Sequence, residues 1–358
     1  MAFEESGESS SIFGSIGDSF KGMLAGVVLF PLSLYLIFQV ETCEQASAAL
    51  KGALPASQAK AGVASYVTGK LSADTLGGEF VKPGKYISYS QSSEVYAWEE
   101  TSKEDSKTKK TVYDCELDWI SSPKNPKNFK DPACKSKPFY KATIDDKSSV
   151  ASDAKVKSED GKTFSVNLSK VDLTSAVPSV SPGSGELAKG IAEGDYIYLS
   201  QKCASDQTEG CERISVSLVP VPEESMTFVG SVSGSSISEF TSAEGNKFLN
   251  ASVGDYQTTM KDIQSDDNTT KWLMRLGCFI AMWVSFNLLA GPLLSLLSFV
   301  PLVGELGKTA LSLVFGVVAF VITAVTILLV KFWYIWLILG LAAIGYAIYK
   351  KKAATATA

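Results

Sequence analysis

Residues 272–300 read WLMRLGCFIAMWVSFNLLAGPLLSLLSFV, an apolar run whose one charge, Arg275, lies near its start. At about 1.5 Å rise per residue, roughly 20 such residues cross a hydrocarbon core of about 30 Å. Two further runs follow, TALSLVFGVVAFVITAVTILLV at 309–330 and FWYIWLILGLAAIGYAIY at 332–349, on either side of Lys331. A soluble protein has no means of covering this much apolar surface, so 272–299, 309–330 and 332–349 are predicted as three transmembrane helices. Trp333, Tyr334 and Trp336 beside Lys331 read as an aromatic belt with a snorkelling lysine, which sets the turn of a tight helical hairpin at one interface.

Working outward, GMLAGVVLFPLSLYLIFQV at 22–40 is also uncharged and long enough to span. A cleaved signal peptide needs a basic leader and a small-residue cleavage site. Here Glu4, Glu5, Glu8 and Asp18 face a lone Lys21, and the run ends at Gln39-Val40-Glu41, so an uncleaved anchor is the expectation. Lys350, Lys351 and Lys352 close the last run and, by the positive-inside rule, put the tail 350–358 in the cytoplasm. Four spans then return the N-terminal tail 1–21 to that side, leave 300–308 as a cytoplasmic connection, and place 41–271 outside.

Residues 41–271 change character to Ser, Thr, Lys, Asp and Gly with short β-prone runs such as YISYS, TFSVNL, YIYLS and RISVSLVPV. The fold class is therefore an integral membrane α+β protein: one N-terminal and three C-terminal spans flanking a β-rich extracytoplasmic domain. The Ala-rich stretch from Ala46 to Gly69 is predicted as one helix continuing from the first span. An internal echo is visible, because Gly84, Tyr86, Ile87, Ser90 and Gln91 recur at the spacing of Gly194, Tyr196, Ile197, Ser200 and Gln201. Each copy leads to a second strand, Glu94 to Trp98 or Glu212 to Leu218, so the domain is expected to hold two related β units unless G-x-Y-I is only a common strand start.

Five of the six cysteines lie in this segment. Cys203 and Cys211 close a short loop and Cys115 and Cys134 a longer one, the spacing of two possible disulfides in an oxidising compartment, with isolated thiols as the alternative. Asn167-Leu-Ser, Asn250-Ala-Ser and Asn268-Thr-Thr are glycosylation acceptors if the asparagines are exposed and the host glycosylates.

The chain has no histidine, which removes the imidazole of Ser-His-Asp and Cys-His mechanisms and of most zinc hydrolases. It has no C-x-x-C pair, P-loop or G-x-G-x-x-G opening a helix, so no cofactor and no metal is expected. The pairs Glu99-Glu100 and Asp266-Asp267 read as solvated surface. A net charge of −5 and a pI near 5.1, with Lys107, Lys109 and Lys110 set among acids, argue against nucleic acid. Inside the membrane, Asn287 is a helix-packing or pore candidate, Lys331 a pore candidate, and Gly316, with Ala319 and Ala324, a small-residue surface for close packing. Gly291-Pro292 is expected to kink or end its helix.

Four stretches in order carry a resemblance: EVYAWEE at 94–100, VYDCELDW at 112–119 followed by KNPKNF, GDYIYLS at 194–200, and the C-terminal block through KFWYIW at 331–336. In these the chain resembles the transmembrane protein 43, or LUMA, family, over almost its whole length after about Gly22. It departs in lacking an aromatic residue near Cys115 and a histidine near the Asn-Pro pair, so no histidine-based role carries over. The resemblance implies residence in the endoplasmic reticulum and inner nuclear membrane in animals, self-association, and binding to lamins and emerin. It also implies bacterial members, for which the periplasm is the outer compartment and lamins are absent. The expected function is an oligomeric membrane scaffold, not an enzyme, whose partners are membrane lipid, copies of itself and other membrane or lumenal proteins. A channel or transporter subunit is the alternative, and a membrane-tethered enzyme the third reading.

Overall fold

The computed structural model describes residues 3–4, 12–104, 111–181, 186–291, 304–335, 338 and 341–342. In chain order the strands are β1 (Phe3–Glu4), β2 (Leu54–Pro55), β3 (Ser65–Ser72), β4 (Tyr86–Glu104), β5 (Thr111–Ile120), β6 (Lys147–Val150), β7 (Ala154–Ser158), β8 (Thr163–Val166) and β9 (Asp172–Leu173). They continue as β10 (Ile191–Glu193), β11 (Tyr196–Tyr198), β12 (Glu212–Pro220), β13 (Met226–Ser233), β14 (Ser236–Ser238), β15 (Phe240–Thr241), β16 (Lys247–Phe248) and β17 (Asn250–Val253). The α-helices are α1 (Ile12–Thr42), α2 (Ala46–Ala49), α3 (Gln201–Asp206), α4 (Tyr256–Leu289) and α5 (Gly304–Lys331). The chain divides into a β-rich unit, residues 1–8 and 45–266, and a helical unit, residues 9–44 and 267–358.

In the β-rich unit one sheet runs β1-β5-β4-β12-β11-β10, with β6 on the other side of the first half of β4. Alternation makes its inner face: Tyr89, Ile197, Ile214, Val216 and Leu218 are buried beneath Phe80 and Val81. The other sheet closes on itself. β3 pairs with β7, β7 with β8, β8 with β14, β14 with β13, and β13 returns to β3, so five strands form a ring without an open edge. Val67, Leu71, Val156, Phe164, Val166, Phe228 and Ile237 fill it. β13 is buried on both faces, because Phe228 enters the barrel while Val229 meets Leu50 and Ile263 from α4.

Several expectations are corrected here. The predicted Ala46–Gly69 helix is only the four-residue α2; Gly52 and Gly62 adopt left-handed backbone at φ of 76° and 77°, and Pro55 lacks an amide donor, so the chain turns into β2 and β3 instead. The echo is not a repeated unit: Ser90 and Gln91 lie mid-strand in β4, whereas Ser200 caps α3 and Gln201 begins it. Likewise Glu94 to Trp98 is no second strand but the continuation of β4. α4 starts at Tyr256, far upstream of the apolar run, where Asp255 accepts the Thr258 N–H at 2.8 Å. β1 pairs with Val112–Tyr113 in the β-rich unit, whereas residues 1–21 read as a tail across the membrane from it; a two-residue backbone pairing leaves no trace in hydropathy.

Among the described residues of the helical unit three helices are long and apolar enough to cross a membrane: α1 from Lys21, α4, and α5 from Thr309. One is N-terminal and two are C-terminal; most of the expected span at 332–349, and the connection from 300 to 303, lie outside the described residues. Residues 304–308 of that expected connection belong to α5. α4 ends at Leu289, two residues before Gly291-Pro292. Ile37, Cys278, Met282 and Ala319 form the shared core of the three helices.

With lipid on the outside, such helices associate by close packing and a few interhelical hydrogen bonds. α1 and α4 come close together at Gly26, whose carbonyl accepts the Ser285 hydroxyl at 3.0 Å. A Cβ there would stand 2.9 Å from the Leu289 nitrogen. Gly26→Leu is therefore expected to push α1 off α4 at a cost of about 1–3 kcal/mol, read as a lower melting temperature of the detergent-solubilised full chain, with Leu24→Ala on the exposed face as the unaffected control.

Candidate functional site: an aromatic and arginine face

The face of the first sheet opposite its core collects large polar and aromatic side chains, and strand register dictates which. Glu94, Tyr96, Trp98 and Glu100 alternate on β4 with the buried Val95 and Ala97. Antiparallel pairing sets Tyr96 opposite Trp119, Trp98 opposite Leu117 and Glu100 opposite Cys115 on β5. On the other side β12 sets Arg213 opposite Glu94, and β11 sets Tyr198 opposite Arg213.

Arg213 is the hub. Its guanidinium lies 3.8 Å from the Tyr196 ring centroid and 4.4 Å from that of Trp119, and it bonds the Glu94 carboxylate at 2.6 Å through Nη2 and 2.7 Å through Nε. Trp119 also meets Tyr96 at 5.2 Å and, edge-on, Tyr198 at 5.9 Å. Planarity and weak hydration suit a guanidinium to such a stack, where a lysine ammonium would lose both the ring contacts and the fork to Glu94. Lys137 lies 3.8 Å over Trp98, and the buried indole N–H groups of Trp98 and Trp119 have no acceptor among the described residues.

A loop frames one end of this face. Cys115 on β5 is disulfide-bonded to Cys134 at a Cα–Cα distance of 6.0 Å, and Glu100 Oε1 accepts the Lys130 and Asp131 N–H groups at 2.6 and 2.9 Å. Asp131 comes close to both sulfurs, yet the disulfide leaves no thiolate to ligate a metal there. Cys203 and Cys211 are likewise joined, at 5.4 Å, linking α3 to the start of β12. Cys43 and Cys278 are free thiols.

The remaining sequence-selected residues scatter. Asn167 is exposed and caps the turn after it, accepting the Ser169 N–H at 3.1 Å, and Asn268 is exposed on α4. Asn250 is buried, with its amide 3.4 Å from Asp172, so a glycan there is incompatible with the folded strand β17. Asn287 donates to the Trp283 carbonyl of its own helix at 2.9 Å, while Trp283 itself bridges to the Ser312 carbonyl on α5 at 2.8 Å and packs against Gly316. Asn287 thus bonds within its own helix, and the polar contact from α4 to α5 is made one turn earlier by Trp283. Lys331 is exposed at the end of α5. Of the acidic pairs, Glu100 and Asp266 are not free surface; Asp266 accepts the Ser175 N–H at 2.8 Å.

Among the described residues the resolved shifts in the β-rich unit favour the ordinary protonation states. The hydrogen bond from Lys189 holds the Glu79 carboxyl below its ordinary range, as the Ser158 hydroxyl does for Asp160 and the Thr258 N–H for Asp255. Burial pushes the Tyr89 and Tyr86 phenols up, with the charge of Glu79 adding to the first and that of Glu186 to the second. At neutral pH those carboxylates stay ionised and those phenols stay protonated.

Three of the four stretches that carry the family resemblance are neighbours in this fold: 94–100 lies in β4, 112–119 in β5 with KNPKNF at 124–129 in the framing loop, and 194–200 in and around β11, while the fourth, the C-terminal block, belongs to the helical unit. The family model of Transmembrane protein 43 matches residues 95–336, more than half of the 358-residue chain. The chain belongs to that family. Neither the curated proteins nor the solved structures compared with it include a match. As a transmembrane protein 43 family member with apolar helices it is an integral membrane protein, and the family is not one of known enzymes. What sequence reading missed is Arg213, whose partners sit on three other strands; its only sign was a lone arginine in the alternating run ERISVSL.

Two variants test the face. Arg213→Lys keeps the charge but loses the stack and fork, so the melting temperature should fall by an amount corresponding to about 1–3 kcal/mol, and Arg213→Ala by more. Replacing Cys115 and Cys134 together by serine reopens a loop of 19 residues and should cost about 3 kcal/mol, measured as the shift in the denaturation midpoint of the β-rich unit within the full chain, with no shift if the pair is reduced in the native membrane.

Proposed function

We propose that this protein is a membrane-anchored scaffold: its helices hold it in the bilayer and self-associate, and its β-rich unit presents the Arg213 face to lumenal or periplasmic partners. The observation that carries the reading is that three of the stretches behind the family resemblance, 94–100, 112–119 and 194–200, meet on one aromatic and arginine sheet face. Tyr, Trp and Arg are the side chains most often found as anchors at protein contacts. Membership of the family supports placement in the endoplasmic reticulum and nuclear envelope if the host is eukaryotic, and in the cell envelope if it is bacterial. The same support extends to an uncleaved N-terminal anchor and a fourth span at 332–349.

Gentle detergent extraction of the full chain from its native membrane, followed by size determination and mass spectrometry, tests this. The expected result is an assembly larger than one 38.2 kDa chain with stoichiometric companions, and loss of those companions, but not of folding, in Tyr96→Ser. A lone, partnerless monomer in wild type would refute the scaffold.

A further inference from the structure

Three span ends meet in the helical unit around a cavity of about 380 Å³ lined by Glu41 and Thr42, Lys271 and Arg275, and Lys331 and Trp333. These are the C-terminal end of α1, the point where α4 enters its apolar run, and the C-terminal end of α5. That is the depth at which lipid headgroups lie.

The charges do not balance. Arg275 Nε and Nη2 bond the two Glu41 oxygens at 2.6 and 2.9 Å, and Lys271 reaches the same carboxylate at 3.6 Å. The Glu41 side chain is 3% exposed, so its one negative charge is committed to that pair. Lys331 has no carboxylate within ion-pair distance among the described residues and is exposed. Three cations against one carboxylate leave two positive charges lining the cavity, and Arg275 Nη1 remains as a further donor. Beyond it, exposed Leu328 and Leu329 on α5 and the 63%-exposed Trp333 supply the apolar surface and interfacial ring that acyl chains and a glycerol backbone contact.

We propose that this cavity is a binding site for the phosphate headgroup of an anionic phospholipid, with Lys331, Lys271 and Arg275 as its cations and Glu41 positioning Arg275. A basic pocket between membrane helices is suited to an anionic headgroup, and each lysine near such a surface is worth about fivefold in affinity. This inference concerns the helical unit alone and stands apart from the scaffold reading.

Native mass spectrometry of the purified full chain, titrated with phosphatidylglycerol or phosphatidylcholine, tests it. Wild type is expected to retain the anionic lipid preferentially. Lys331→Gln should weaken that retention about fivefold at unchanged melting temperature, Lys331→Arg should preserve it, and Lys271→Gln should weaken it as well. Equal retention of the two lipids, or no effect of Lys331→Gln, would overturn the site. Displacement of the lipid by millimolar inorganic phosphate would make the free ion the ligand and overturn the lipid assignment.

Discussion

The contact on which the helical unit depends is the ion pair between Glu41 and Arg275, reinforced by Lys271. Glu41 stands at the C-terminal end of α1 and Lys271 and Arg275 lie where α4 enters its apolar run, so one carboxylate ties together two helices of the helical unit that are more than 200 residues apart in sequence. Removing a buried charge from water costs several kcal/mol, and a pair repays it only with good geometry. Here the geometry is two-pronged, with both carboxylate oxygens engaged by one guanidinium. Loss of Glu41 would leave Arg275 and Lys271 without their shared carboxylate, whereas loss of Arg275 would leave Glu41 to Lys271 alone.

The β-rich unit solves a different problem, that of open sheet edges. Ring closure from β13 back to β3 leaves five strands of the second sheet without an open edge, and β13, apolar on both faces, serves the barrel and the helix packed outside it at once. The first sheet stays open, and its outer face is where motif residues of the β-rich unit gather. Arg213 organises that face because three neighbouring strands deliver Tyr196, Trp119 and Glu94 to one guanidinium. Catalytic sites usually show neighbours that push pKa values toward the working pH; the shifted carboxylates of this unit move the other way, held ionised by hydrogen bonds.

Hydropathy at 22–40, 272–299 and 309–330 pointed to α1, α4 and α5, though not to their ends, because a bilayer forces backbone hydrogen bonds to be satisfied within each segment, and composition alone reports that. Alternation likewise marked β12 from ERISVSLVPV and the β domain as a class. Local signals failed where distant partners decided the outcome. Ala-rich 46–69 lost its helix to two left-handed glycines and to pairing of β3 with β13, and the echo at 84–91 and 194–201 split because Ser200 caps a helix that Ser90 does not. The upstream half of α4 was illegible as apolar sequence because its buried residues, such as Ile263, are few and face the β unit.

By itself, then, the sequence determined the class of the protein: apolar segments fit only to cross a membrane, a strand-rich insertion between them, no imidazole, and ordered motifs specific to one family. Tertiary structure alone decided which residues meet. Cross-strand register, which has a period of two and is set by long-range pairing, put Arg213 between Tyr196 and Trp119, and helix packing brought Glu41, Lys271, Arg275 and Lys331 to one cavity. Those contacts join positions up to hundreds of residues apart, and nothing in the local chemistry of either end names the other.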